Sequence, residues 1–304
     1  MKSYVSTVAA SILRPFILRK MRFDQNEVDG VIFKMADTFS EKEAAFRLVH
    51  DMYVRRGIIS PSESGCQLSI YHLLPTTTIF IATYNDKVIG TISLIEDSPL
   101  GIPMEDVHRK EILTLRLAGL RFAEVGALAV TKDRRGKGIS LMLYNIMIRW
   151  ATQHRLIRNL AIAVHPRIET FFKVIFLFKK MGQVQKYKKL NNALSVPLVL
   201  DLSSAAHQFR RIYDRPSMHI GRGRTSINVY NFFCEDFIEA LHLPEVPKYS
   251  SSLPIPPIWQ HAEIATILNK NGIEFKSLPR QQKRVLSQYY TIFKEHNNSG
   301  LYVN

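Results

Sequence analysis

The 304-residue chain predicts a mixed α/β fold up to about residue 202, followed by a helical part over 203–304. Three observations predict it. Runs rich in β-branched and aromatic residues alternate with runs carrying apolar residues at helical spacing. That alternation stops after Asp201, beyond which no convincing strand pattern follows. Hydrophobic residues make up 46% of the chain, the share of a folded globular protein and not of a disordered one.

The elements follow in order. Residues 1–30 form a basic segment: Val5 to Leu18 is apolar, Arg14-Pro15 interrupts it, and Arg19, Lys20 and Arg22 follow. It is too short to span a bilayer and lacks the small-residue cleavage site of a signal peptide. It reads as an amphipathic surface segment, with peripheral membrane contact as its expected role in an otherwise cytoplasmic protein. Val31 to Ala36 reads as the first strand. Ser40 and Glu43 fit a capping box, opening a helix to about Arg56 that Gly57 ends. Thr76 to Tyr84 and Val88 to Ile95 flank the turn Asn85-Asp86 as a hairpin. Asp97 to Met104 is a loop by its Pro and Gly content, with a charged helix over 104–117 behind it. Glu124 to Val130 is a strand, Ile139 to about His154 a helix, Asn159 to Val164 a short buried strand, and Glu169 to Met181 a helix closed by Gly182. Val184 to Leu190 and Val196 to Leu202 are the final strands. Helices are expected near 204–214, 228–242, 258–270 and 279–295, with Pro244 to Pro257 as the clearest linker.

The formal charge of +15 is localised. Residues 1–131 carry 15 basic and 15 acidic side chains, whereas 132–190 carry 14 basic and only 2 acidic ones. A partner bearing phosphates or clustered carboxylates is expected to meet that segment. The two cysteines, Cys66 and Cys234, exclude a disulfide scaffold and a paired-cysteine zinc module and read as free thiols in a reducing compartment. His50, His108, His154 and His165 are isolated, so no metal-ligand spacing appears.

The sharpest motif is a strand, then Asp133-Arg134-Arg135-Gly136-Lys137-Gly138, then a helix beginning at Ile139. Two glycines one residue apart let the backbone approach a ligand closely. The helix start offers unpaired N–H groups and the positive end of its dipole, which together suit a phosphate or pyrophosphate. Arg134, Arg135 and Lys137 add charge at the rim. The spacing is neither the three-glycine dinucleotide fingerprint nor a P-loop.

This turn, with Leu128-Ala129-Val130 before it and Leu160 to Val164 after its helix, resembles motif A of the GNAT acyltransferases. A narrower resemblance covers about residues 31–202. Phe46-Arg47-Leu48 through Tyr53-Val54, the loop Asp97 to Met104, Glu124 to Val130, Pro166-Arg167 with Phe171-Phe172 and Met181-Gly182, and Asn191-Asn192 to Leu202 resemble the long-chain N-acyl amino acid synthases of the FeeM type, relatives of acyl-homoserine-lactone synthases. The resemblance implies a GNAT acyltransferase fold, a central mixed sheet flanked by helices, here with a helical C-terminal extension. It implies transfer of a long-chain acyl group from a thioester, on acyl carrier protein or coenzyme A, to the amine of an amino acid or related acceptor. No permanently bound cofactor is implied; acyl-phosphopantetheine is the co-substrate. Its binding residues would be Leu128, Ala129, Val130, Arg134, Arg135, Gly136, Lys137, Gly138 and Ile139. The basic 132–190 surface would meet the acidic carrier protein.

Glu124 is the candidate base or amine-orienting carboxylate; a salt bridge to Arg116 or Arg121 is its structural alternative. Backbone N–H groups from Gly126 to Val130 would polarise the thioester carbonyl. The family usually places Gln or Arg where Asp133 stands, so the phosphate contact here falls to the backbone. Homoserine-lactone synthases commonly carry an Arg at the position of Ala127, which argues against their substrate recognition. Many GNAT enzymes offer a Tyr to the leaving thiolate where Phe172 stands, and Tyr144 and Tyr187 are the candidate substitutes. The run Phe171 to Phe178 suits core packing, or the wall of an acyl slot. Both cysteines lie outside the motifs, so direct amine attack without a covalent enzyme intermediate is expected. Two other readings remain: a short-chain acetyl-CoA-dependent acetyltransferase, and an inactive GNAT-like core serving nucleic-acid binding or regulation. The chain lacks the interleaved aromatic and basic residues of a single-strand platform, and Gly221-Arg222-Gly223-Arg224 is too short for a nucleic-acid tract.

Overall fold

A computed structural model of the chain describes residues 2–21, 23, 28–221, 226–235, 241–242, 259–290 and 293. Its centre is a mixed sheet. Strand β1 (Ile32–Met35) pairs antiparallel with β2 (Thr77–Tyr84), which turns into β3 (Lys87–Glu96). Asn85 and Asp86 make that turn with φ of 48° and 57°, the left-handed pair that matches the twist of a two-residue hairpin. β3 pairs antiparallel with β4 (Phe122–Val130), and β4 pairs parallel with β5 (Asn159–Val164). β5 pairs antiparallel with β8 (Ala193–Asp201), on which β6 (Lys179–Lys180) and β7 (Gln185–Tyr187) also lie.

Helices cover both faces. Helix α2 (Phe39–Arg55) and α3 (Glu105–Leu117) connect strands, as do α4 (Ile139–Arg149) and α5 (Pro166–Ile175). Ile139, Met142, Leu143, Ile146 and Met147 of α4 pack on Phe33, Phe80, Ala82, Ile92 and Leu94 of the sheet. The opposite face holds Ile79 and Ile81 against Ala45 and Phe46 of α2. Two C-terminal helices, α7 (His261–Lys270) and α8 (Arg280–Tyr289), share that second core through Ile264, Ile267, Leu268, Val285 and Leu286. Trp259 Nε1 donates to His72 O at 2.9 Å and Tyr290 Oη to Leu73 O at 2.6 Å, which ties this region to the loop before β2.

Several elements differ from their sequence patterns. The cap of α2 is Thr38 with Glu41, not Ser40 with Glu43. Both pairs fit the motif; Lys34 settles it by pairing with Glu41 at 2.8 Å, while Glu43 pairs with Arg47 and Lys270. The helix expected over 169–181 is α5, which starts at Pro166 behind its cap His165 and ends at Ile175. Leu177 turns left-handed with φ 62°, Phe178 N–H returns to Phe172 O, and Lys179–Lys180 joins the sheet. That reversal sets Phe176 stacked on Phe172 and Phe178 edge-on to it, each pair with ring centroids 5.7 Å apart. The aromatic run is therefore core.

After β8 the chain is not purely helical. Helix α6 (Leu202–Tyr213) is followed by the short pair β9 (His219–Ile220) and β10 (Ile227–Asn228), and by β11 (Leu241–His242), which lies parallel to β1. The helix expected over 228–242 is a single wide turn at Asn231–Glu235 within the described residues. Two-residue strands leave too little alternation to register as a pattern. The Pro244 to Pro257 linker, Arg22 and Arg222 to Arg224 lie outside the described residues.

Helix α1 (Lys2–Lys20) runs through Pro15 instead of breaking there. Arg14 is buried and anchors it, its Nε donating to Val174 O at 3.1 Å and to Tyr213 Oη at 3.2 Å. No helix among the described residues is long and apolar enough to cross a membrane. No group of three His, Cys, Asp or Glu side chains among them could hold a metal.

One basic residue of the 132–190 block is internal. Arg155, 5% exposed, donates Nε to Glu96 Oε1 at 2.5 Å, and Arg121 Nη2 reaches Glu96 Oε2 at 3.2 Å. Removing the buried partner would leave the Glu96 carboxylate with only the half-exposed Arg121. Arg155→Met is expected to destabilise the fold by about 3–5 kcal/mol, measured by chemical denaturation; a change below about 1 kcal/mol would mean that water replaces the guanidinium at Glu96.

Candidate active site

The site begins where two neighbouring strands part. The parallel ladder between β4 and β5 joins only Phe122, Ala123 and Glu124 to Asn159, Leu160 and Ala161. On the other side of β4 the register against β3 shifts between Thr91, opposite Ala129, and Ser93, opposite Gly126. One extra residue is thus accommodated at Ala127, which takes φ 51°. This bulge turns β4 away from β5. Beyond Glu124, the β5-facing edge of β4 is left outside the parallel ladder, so its backbone groups remain available to a ligand.

The widening gap leads to a cleft of about 280 Å³. Leu128, Ala129 and Val130 form one wall, Met52, Tyr53 and Arg56 of α2 and its C-terminal end form another, and Arg134, Arg135, Gly136 and Ser140 close the end. The turn there depends on its glycines. Gly136 has φ 75° and Gly138, the N-cap of α4, has φ 88°, conformations that L side chains rarely adopt. A Cβ at Gly138 would lie 2.9 Å from Phe23, whereas one at Gly136 would meet nothing within 4 Å. Gly138 is thus packed and Gly136 faces open space at the head of α4. Arg134 stacks on Tyr84, its guanidinium 4.1 Å from the ring centroid. Arg135 donates Nε to Val130 O at 3.3 Å and reaches Met52 Sδ at 2.8 Å, so its charge spans the cleft mouth. Of the residues that the sequence pattern proposed, Leu128, Ala129, Val130, Arg134, Arg135 and Gly136 line the cleft, whereas Lys137, Gly138 and the buried Ile139 are not in its lining.

Glu124 stands at the inner end of the cleft's strand, in the last pair before the splay. It is 7% exposed. Arg116 pairs with Asp97 and Glu105, and Arg121 with Glu96; among the described residues neither ion pair includes Glu124. Its polar contact is the Met104 N–H, donated to Oε2 at 2.7 Å. Burial pushes its pKa up to about 8, the Met104 N–H opposing and the charges of Asp106 and Glu105 adding to the rise. Gly126, two residues along on the same face, carries no side chain; an added Cβ there would sit 4.0 Å from Glu124 Oε1. The carboxyl is thus buried, in no ion pair with an Arg among the described residues and beside a side-chain gap, which suits a group that must accept and return a proton.

The loop from Asp97 to Met104 explains itself here. Arg116 clamps Asp97 with Nε and Nη2 at 2.9 and 2.7 Å, and takes Glu105 at 2.5 Å. Glu105 Oε1 in turn accepts from Ile102 N at 3.1 Å. This clamp fixes the turn that presents Met104 N–H to Glu124. Tyr187 Oη donates to Pro103 O at 2.9 Å, so Tyr187 braces the turn. Tyr144 is buried against Phe172 and Phe176, with centroids 5.9 and 4.9 Å away. The sequence patterns did not single out Arg56 or Ser140, and Met104 was legible only as the end of the Asp97 to Met104 loop. Tyr53 was legible as part of the Tyr53-Val54 string, but its role was not.

The family description "N-acyl amino acid synthase FeeM" matches residues 44–201. The solved structure of FeeM, an N-acyl amino acid synthase from uncultured soil microbes, is 24% identical, with a TM-score of 0.53 over 59% of this chain and 94% of that one. BjaI, described as a CoA-dependent acyl-homoserine lactone synthase, is 16% identical, with a TM-score of 0.44 over 66% of this chain and 97% of its own. A putative N-acetyltransferase from Lactobacillus plantarum is 15% identical, with a TM-score of 0.41 over 57% and 99%. No match was found among curated proteins. The family match spans half of the chain and contains most of α2, the Asp97 to Met104 loop, Glu124 and the Gly136 to Gly138 turn, so the chain belongs to the FeeM family of N-acyl amino acid synthases and is an acyltransferase of the GNAT fold.

Proposed function

We propose that the protein transfers a long-chain acyl group from a phosphopantetheine thioester, carried by acyl carrier protein, to the amine of an amino acid or related acceptor. The observation that carries the reading is the position of Glu124 at the point where β4 leaves β5, with the glycine turn at the far end of the same splayed strand. A thioester laid along Leu128 to Val130 would hydrogen-bond to the freed backbone. Its phosphate would meet the Gly136 to Gly138 backbone and the start of α4. N–H groups along Gly126 to Val130 would receive the carbonyl oxygen as charge develops there.

The acceptor chemistry follows from the buried carboxyl. An amine reaches the site as an ammonium ion near neutral pH, and an ammonium beside Glu124 favours the carboxylate. Glu124 then takes the proton that must leave nitrogen before or during attack. Carrier protein is favoured as donor by the exposed Lys132, Arg135, Lys173, Lys179, Lys180, Lys186 and Lys188 of the 132–190 segment, a charge excess of the kind that speeds association with an acidic partner.

Purified protein supplied with palmitoyl thioesters of carrier protein and of coenzyme A, together with a mixture of amino acids, is expected to form N-acyl products with matching release of thiol. Turnover is expected to be faster with the carrier-bound donor at low salt and to converge with the coenzyme A donor as salt rises. A folded sample that releases no thiol from either donor would overturn the reading.

A further inference from the structure

Phe172 has no hydroxyl to offer a leaving thiolate, so the site needs another proton source or none. Three tyrosines lie within the electrostatic reach of Glu124: Tyr53, Tyr71 and Tyr187. Tyr187 is committed to Pro103 O, and Tyr71 packs against the cluster of Ile102, Met104 and Ile112. Tyr53 differs from both because it also lines the donor cleft. It projects from the last turns of α2 onto β4 and packs in one cluster with Ala127 and Ala129, across the bulge where the strand splays. Its side chain thus borders both the channel for the thioester and the stretch of β4 that carries the bulge, three residues from Glu124. Tyr144, which the sequence suggested for the role, is buried against the Phe172 and Phe176 rings and is not in the cleft lining.

We propose that Tyr53 donates the proton that the departing thiolate takes up, acting as a relay between Glu124 and sulfur. The inference rests on the acyl-transfer reading above. The ammonium first gives one proton to the Glu124 carboxylate, which releases it to solvent; the neutral nitrogen then forms its bond to the thioester carbonyl carbon and gives a second proton to Glu124. Collapse breaks the carbon–sulfur bond and leaves the electron pair on sulfur. Tyr53 Oη–H passes its proton to sulfur, and the phenolate recovers one from the Glu124 carboxyl. The products are an amide and a thiol, and the enzyme returns to its starting protonation.

The relay is balanced in free energy. A phenol alone is a poor donor to a thiolate, because its pKa of ~10 lies above the thiol value of ~8.5. Burial and the Glu124 charge raise Tyr53 further. The net transfer, however, runs from the Glu124 carboxyl, at about 8, to a thiol at ~8.5, which is close to even. Tyr53 therefore works only when Glu124 has been loaded by the amine, which couples thiolate departure to nitrogen deprotonation.

Tyr53→Phe keeps the ring and removes the hydroxyl. With an alkyl thioester such as acyl-phosphopantetheine, kcat is expected to fall about 100-fold. With an aryl thioester of the same acyl chain, whose thiol needs no protonation to leave, the deficit is expected to shrink to within about threefold. A second readout needs no turnover. The alkylation rate of phosphopantetheine thiol bound to the protein, followed against pH, is expected to show a thiol pKa about one unit higher in Tyr53→Phe, since the variant lacks the O–H that stabilises the thiolate. A wild-type rate in the variant, an equal deficit with both donors, or an unmoved thiol pKa would overturn the assignment, and the same pattern appearing in Tyr144→Phe instead would transfer it to Tyr144. Loss of all wild-type turnover would overturn the acyl-transfer reading itself, whereas an active wild type with an unaffected Tyr53→Phe removes Tyr53 alone.

Discussion

Glu124→Gln is expected to lower kcat by about 10²–10⁴-fold while leaving donor affinity within about twofold. The substitution preserves shape, and the amide oxygen can still accept from Met104 N–H, so the Asp97 to Met104 loop should keep its place. What disappears is the ability to take a proton. The sign of the pH effect follows from the raised pKa. Glu124 is neutral below about pH 8 and cannot accept, so wild-type kcat/KM is expected to rise as pH passes through that value, and the variant is expected to lose that limb. Stability should move the opposite way. The folded protein holds a proton on Glu124 that the unfolded chain releases at the ordinary value of 4.5. The folded state therefore binds more protons between these values, and stability declines as pH rises from about 4.5 to about 8, by at most about 5 kcal/mol. Thermal melts should show Glu124→Gln matching wild type near pH 4 and exceeding it above pH 8. A variant that keeps the wild-type rate and the wild-type pH limb would make the carboxyl a structural acceptor for Met104 and nothing more.

Gly136→Glu is expected to weaken donor binding at least 100-fold, about 3 kcal/mol. At φ 75° with no atom within 4 Å of the added Cβ, the new side chain meets no packing clash and projects into the space before α4. It places a carboxylate where the donor phosphate would sit and turns an anion-attracting helix end into an anion-repelling one. The backbone cost is about 1–2 kcal/mol, so the variant should remain folded with a modestly lower Tm. Gly136→Ala carries the same backbone strain without the charge, and should lose far less affinity. Calorimetric titration with coenzyme A and with phosphopantetheinylated carrier protein separates strain from charge. Equal affinities for wild type and Gly136→Glu would remove the turn from the donor site.

The sequence exposed the parts of this site that local chemistry dictates. Gly136 and Gly138 stand out because only glycine is at ease at positive φ next to a helix start, and that requirement is visible without a fold. Glu124 could be singled out as a carboxyl on an otherwise apolar strand, but its partner could not. Met104 lies twenty residues away, and its N–H is aimed by a clamp between Asp97, Glu105 and Arg116 that forms only after β4 and α3 pack. The position of Tyr53 was similarly hidden, because it depends on α2 crossing β4 at the bulge. The charge of the 132–190 block was legible, yet its geometry was not: Arg155 is turned inward to Glu96, Arg134 is stacked on Tyr84, and Lys189 is paired with Asp106 at 2.6 Å. The end of α5 is not legible in the sequence because an aromatic run continues a helical pattern as readily as it fills a core, and only the left-handed turn at Leu177 distinguishes the two. The strands β9, β10 and β11 leave no sequence signal because two residues carry no period.

The central claim is that Glu124 and the cleft beside it join a fatty acyl group to an amine. Mass spectrometry of lipid extracts from cells producing the wild type or Glu124→Gln at equal soluble levels tests it most directly. Long-chain N-acyl amino acids or related fatty amides are expected in the wild-type extract and are expected to fall at least tenfold in the variant. Identical extracts from the two, with no fatty amide above the level of cells lacking the protein, would contradict the account.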